Sequence, residues 1–194
     1  MTWLRTFVED FSSAIAAVDA RRPVWRSYQP GIGPHPEQAT LQLVAREIAQ
    51  WRPEYGSPDL EVDYPTDRRK ECDLVFSNPP WAIEAKLFRL MGDNGKPNDN
   101  MLTHILSPYP THRSALTDCD KLIGSGFGAQ LAILIYGYDY PGLPMDPAIE
   151  AFEQLAATRV ALGPREQAAF SGLVHPIHQE GRVMAWHIEP KRSA

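Results

Sequence analysis

Apolar residues at Trp3, Leu4, Phe7, Val8, Phe11, Ile15 and Val18 recur at intervals of three and four, which brings them onto one face of a helix. The spacing predicts an amphipathic helix over 2–19, packed on the body of the protein or on a partner subunit. Glu9, Asp10 and Asp19 deny it the basic polar face of a membrane-surface helix. A second helix is predicted just after Pro34-His-Pro-Glu37, where Ala39, Leu41, Leu43, Val44, Ile48 and Trp51 repeat in the same way. The period then shortens. Residues 60–64 read as a strand, and Leu74-Val-Phe76 and Trp81-Ala-Ile83 have the β-branched and aromatic content of half-buried strands about a Ser77-Asn-Pro-Pro80 turn. Residues 114–123 predict a helix stopped by Gly124, and 130–136, with the run Leu-Ala-Ile-Leu-Ile, a buried strand. Residues 146–161 are expected to be helical, with Asp146 as cap, Pro147 first, and Ile149, Phe152, Leu155 and Ala156 inward. Residues 173–178 and 182–188, joined by Gln-Glu-Gly181, read as a closing hairpin. The one strong loop, 92–100, follows the strand ending near Lys86, where a loop could cover a site.

The central hairpin carries the chemistry. If its turn centres on Asn78-Pro79, cross-strand partners have numbers summing to 157, so Asp73 opposes Glu84 and Glu71 opposes Lys86. Side chains two apart on a strand share a face, which puts Asp73, Glu84 and Lys86 together and sends Cys72, Leu74, Ile83 and Ala85 to the other, apolar side. Opposed residues have Cβ atoms roughly 4.5 to 5.5 Å apart, and two carboxylates there repel. A hard divalent cation would relieve that repulsion. The bland competitors are a solvated strand pair in which Arg69 or Lys70 ties Asp73 and Glu84, and, for Lys86, a simple pair with Glu71.

Asp73, ten intervening residues, then Glu84-Ala-Lys86 resembles the PD-(D/E)XK nuclease superfamily. The resemblance implies an α/β, restriction-endonuclease-like core of helix, three strands, helix and strand. That order is met over about 30–138, with 1–29 as an N-terminal helical addition and 139–194 as a C-terminal helix and hairpin, all in one domain. Cys72 replaces the proline of the family name, which is not a ligand. Pro58-Asp59 is a literal alternative, ranked lower because Asp59 begins the first strand. Glu189-Pro-Lys191 also fits acid-x-Lys, but its proline interrupts a strand and it has no partner acid; it is treated as a decoy. The resemblance further implies Mg²⁺, with Mn²⁺ as substitute, held by Asp73, Glu84, the Ala85 carbonyl and Glu37 of the first core helix. Lys86 would then be catalytic. The implied activity is metal-dependent endonucleolytic hydrolysis of DNA, in a restriction or defence setting, with a homodimer favoured if both strands are cut. The alternative is a non-catalytic nuclease-like module binding a protein or nucleic-acid partner. Asp120 and Lys121 read as a surface pair, or by resemblance as backbone contacts. His104 and His112 read as structural.

Charge complicates this picture. A net charge of −5 and a pI near 5.7 oppose easy phosphate binding, although Arg21-Arg22 with Arg26 and Arg68-Arg69-Lys70 offer local basic patches. The length of 194 residues suits one hydrophobic core. The longest apolar run, 131–135, is too short to cross a bilayer, and Glu9 and Asp10 interrupt any leader-like segment, so a cytoplasmic protein is expected. Cys72 and Cys119 make no disulfide framework and no zinc motif; they are expected as reduced, buried thiols.

Overall fold

The computed structural model describes residues 2–56 and 58–191. It is mixed α/β, with a seven-stranded, mostly antiparallel sheet and five α-helices. In chain order these are α1 (Trp3–Ala20), α2 (Glu37–Trp51), β1 (Asp59–Tyr64), β2 (Asp67–Ser77), β3 (Pro80–Phe88), α3 (Met101–Leu106), α4 (Ala115–Ile123), β4 (Gln130–Tyr138), α5 (Asp146–Arg159), β5 (Ala161–Leu162), β6 (Glu166–Phe170) and β7 (Gly181–Glu189). The sheet order is β1-β2-β3-β4-β7-β5, with β6 also on β7, and β3 and β4 are the one parallel pair among the described strands. No helix among the described residues is long and apolar enough to cross a membrane.

Strand alternation divides the core into two layers. On β3 and β4, Trp81, Ile83, Ala85, Ala132, Leu134 and Tyr136 meet α1 and α2. Ala82, Phe88, Ile133 and Ile135 face the opposite way, onto α3, α4 and α5. Helix α1 is capped by Thr2, whose hydroxyl accepts from Arg5 N. Trp3 stacks on Trp81 of the sheet at 5.1 Å between centroids. Arg52 and Tyr55 both donate to Asp10, clipping α1 to the end of α2. The segments before residue 30 and after 138 are therefore woven into the sheet's two layers, with β7 paired with β4 from Leu131 to Tyr138.

Three terminal details differ from expectation. Helix α5 ends at Arg159 because Ala161–Leu162 pairs with β7. Asp146 lies inside the first turn with its carboxylate on Arg182 at 2.6 Å, Met145 holds the cap position, and Leu155 is exposed. The strand hairpinned with β7 is Glu166–Phe170 and not 173–178. In the latter segment Ile177 N and His178 N both donate to His175 Nδ1, which curls the chain into a turn, and Pro176 has no N–H for a ladder.

Candidate active site

Strands β2 and β3 pair from Ser77↔Pro80 to Leu74↔Ile83, the register summing to 157 that the turn predicts. Beyond Leu74 they part. β3 continues its pairing with β4 as far as Phe88, so its other edge is left with main-chain groups to satisfy. Carboxylates meet that need: Ala85 N donates to Asp73 Oδ2 at 2.7 Å, and Leu87 N donates to Glu37 Oε2 at 2.5 Å. Residues two apart on a strand turn their N–H groups to the same side, and this brings the first turn of α2 and the kink of β2 to one edge of β3.

The parting corrects two expectations: the β2–β3 ladder ends at Leu74↔Ile83, so Asp73 does not pair opposite Glu84, and one apolar residue changes sides. Leu74, Ile83 and Ala85 enter the layer under α1 and α2, but Cys72 is buried in the opposite layer, against α4. Leu74 and Cys72, two apart, thus lie in opposite layers, so strand alternation slips at Asp73; on the neighbouring strand Glu61 has left-handed backbone (φ 53°). The slip frees Asp73 to reach Ala85 N.

Glu84 and Lys86 point from β3 toward α4. Glu84 is 2% exposed and accepts from Tyr64 Oη and from Lys121 Nζ, the latter at 2.7 Å. Lys86 Nζ lies 2.8 Å from Asp118 Oδ2, 3.9 Å from Glu37 Oε1, and donates to the Ala85 carbonyl at 3.2 Å. The Lys86–Asp118 pair is off-axis, so Asp118 Oδ2 has charge compensation without a well-directed hydrogen bond. Glu71 is not the partner of Lys86; its carbonyl accepts from Lys121 Nζ. Sequence reasoning missed Asp118 and undervalued Lys121. Their spacing of three puts both on one face of α4. Asp118 falls among the buried positions Ala115, Cys119 and Leu122, a charge within an apolar stripe and a legible signal. Asp120 points away to Arg159, and His112 is engaged by Ser107.

The edge of β3 and the facing side of α4 thus gather four carboxylates, from Glu37, Asp73, Glu84 and Asp118, with two ammoniums, from Lys86 and Lys121. If all ionise, a surplus of two negative charges remains, with Glu84 and Asp118 buried and Glu37 and Asp73 half-buried. Burial raises the Glu84 pKa to about 8, with Asp118 and Asp73 adding to the effect. Burial also raises Glu37 and Asp118. For Lys86, burial favours the neutral amine, but Asp118, Glu37 and Asp73 outweigh it and hold the ammonium charged. No three of the four acids bring ligand oxygens within 4.8 Å of one another, because backbone N–H groups and the two lysines draw them apart.

The other candidates lie elsewhere. Arg69 and Lys70 pair locally with Asp67, and Arg21 with Glu47. The loop after β3 ties Asp93 to Arg89 and His178. The decoy Lys191 bonds the Thr158 carbonyl. Compared with known proteins, the chain matches no family model, no curated protein and no solved structure.

Proposed function

We propose that this chain is a divalent-metal-dependent endonuclease that hydrolyses phosphodiester bonds in DNA, with a restriction-endonuclease-like core and a PD-(D/E)XK site. The observation that carries the reading is the parting of β2 from β3, which leaves Asp73, Glu37, the Ala85 carbonyl and Lys86 around one strand edge with Glu84 beside them. Every candidate ligand is oxygen, which suits a hard divalent ion, and the surplus of negative charge with all four acids ionised equals the charge of one such ion; gathering their oxygens around it would require the acids to shed backbone and lysine contacts they now make. Asp73, Glu84, the Ala85 carbonyl and Glu37 would hold Mg²⁺, with Mn²⁺ as substitute. When bound, the ion supplies a low-pKa water and offsets negative charge on the phosphate. Lys86, oriented by Asp118, presents an ammonium to the developing charge.

A second reading is favoured by one observation, the two lysines already seated on the acids. In that reading the cluster is a closed ionic core and the chain is a non-catalytic nuclease-like module. Calorimetric Mn²⁺ binding combined with plasmid nicking separates the two. Lys86→Ala should lose about 10²- to 10³-fold in rate, or about 3 to 4 kcal/mol, while retaining Mn²⁺. Asp73→Ala and Glu84→Ala should lose both binding and nicking, and Glu189→Ala and Lys191→Ala neither. Full nicking by the Lys86 variant, or unchanged Mn²⁺ affinity in both acid variants, would refute the nuclease reading.

A further inference from the structure

Away from the acidic cluster, Asp93, His175 and His178 each offer one ligand atom within 4.8 Å of the others. Both histidines are fully buried, with rings stacked at 4.6 Å between centroids. His178 Nε2 is 2.9 Å from Asp93 Oδ1, and its Nδ1 is 2.8 Å from Tyr140 Oη. His175 Nδ1 accepts from two backbone N–H groups, yet its Nε2 is buried with no partner. A buried ring nitrogen left unpaired is costly, and native structures rarely tolerate one.

We propose that Asp93, His175 and His178 form a metal site for a divalent transition ion of the zinc class. Two imidazoles and one carboxylate are borderline ligands that suit zinc, cobalt or nickel better than magnesium. Burial lowers the pKa of both histidines, that of His178 to about 4, which keeps the rings neutral and able to ligate. Tyr140 supplies an outer contact: with Nε2 on the ion, His178 donates Nδ1–H to the Tyr140 oxygen. The proton now between His178 Nε2 and Asp93 stands where the ion would sit. Tetrahedral coordination would widen that pair from 2.9 Å to about 3.3 Å.

His175 must change more. Its proton leaves Nε2 for Nδ1, which gives up the bonds from Ile177 N and His178 N, at 3.2 and 3.3 Å among the longest in the cluster. Arg89 opposes the ion through its 3.5 Å contact with Asp93, but its guanidinium is also held by the Gly33 carbonyl at 2.6 Å. An ion here would join the loop after β3 to the turn before β7. It would act as a structural staple.

The test is titration of the intact protein with Co²⁺ in excess Mg²⁺, read as visible absorption, with Zn²⁺ titrated in parallel by calorimetry. Four-coordinate cobalt with nitrogen ligands absorbs strongly, whereas six-coordinate cobalt on oxygen absorbs weakly, so the acidic cluster does not contribute the signal. One equivalent should bind and give the intense band. Asp93→Asn, on the partly exposed loop, and His175→Ala should each weaken Zn²⁺ at least about tenfold, while His104→Ala, on an exposed helix position, should not. Absence of the band, or its survival in both Asp93→Asn and His175→Ala, would overturn the proposal.

Discussion

Glu84→Gln should stabilise the metal-free protein at alkaline pH and leave it nearly unchanged in mild acid. Burial, with Asp118 and Asp73 nearby, carries the Glu84 pKa from its ordinary 4.5 to about 8. The folded protein therefore holds this proton more tightly than the unfolded chain does. Below about pH 4.5 the group is neutral in both states and has no effect; as pH climbs from 4.5 to 8, the unfolded chain is the one favoured by ionisation, and stability falls. At about 1.4 kcal/mol per tenfold change in proton affinity, the ceiling on the loss is about 5 kcal/mol. Part of the charge penalty falls on Asp118, whose pKa burial also raises, so we expect about 2 to 4 kcal/mol. Glutamine mimics the protonated acid, and its carbonyl can still accept from Tyr64 and Lys121. Urea denaturation of both proteins at pH 5 and pH 8, without metal, measures the difference directly. The variant should gain on the wild type as pH rises, and on the proposed metal-site reading saturating Mg²⁺ should restore the wild type by favouring ionised Glu84. A stability difference independent of pH over this range would mean that Lys121 fully compensates an ionised Glu84, and the argument from surplus charge would fail.

Other consequences can be checked by denaturation. Ser114 Oγ accepts from Thr117 N and donates to the Ser107 carbonyl at 2.6 Å, so Ser114→Ala should cost about 1 to 2 kcal/mol through the loss of the α4 cap. A cost below about 0.5 kcal/mol would show that α4 is held by packing alone. Gly137→Ala should be far worse, because the added Cβ would stand 2.0 Å from the Phe88 carbonyl oxygen, in the main chain of the adjacent strand. Near-native stability of that variant would contradict the β3–β4 register.

Much of this molecule was readable one segment at a time. The three-and-four spacing predicted α1 and α2 within a residue or two of Trp3–Ala20 and Glu37–Trp51, because apolar periodicity reports directly which face of a helix is buried. The turn residues between Leu74 and Trp81 predicted the 157 register, and the two-residue spacing of Glu84 and Lys86 on β3 put them on one face. Proline and a side-chain acceptor misled the reading of 173–178: its apolar residues resemble a strand, but the backbone hydrogen bonds go to His175 Nδ1.

What local pattern could not contain was where strands cease to pair. Asp73 and Glu37 are 36 residues apart in sequence, yet both accept from β3 because β2 leaves its edge after Leu74. Asp118 and Lys121 enter the cluster only when α4 packs across the sheet, and only burial there turns ordinary surface chemistry into a strained balance of charge. The same holds for Asp93 and His178, 85 residues apart and joined by a 2.9 Å contact. Periodicity decides which face of an element is apolar, while the approach of elements distant in sequence decides which charges must share one low-dielectric space.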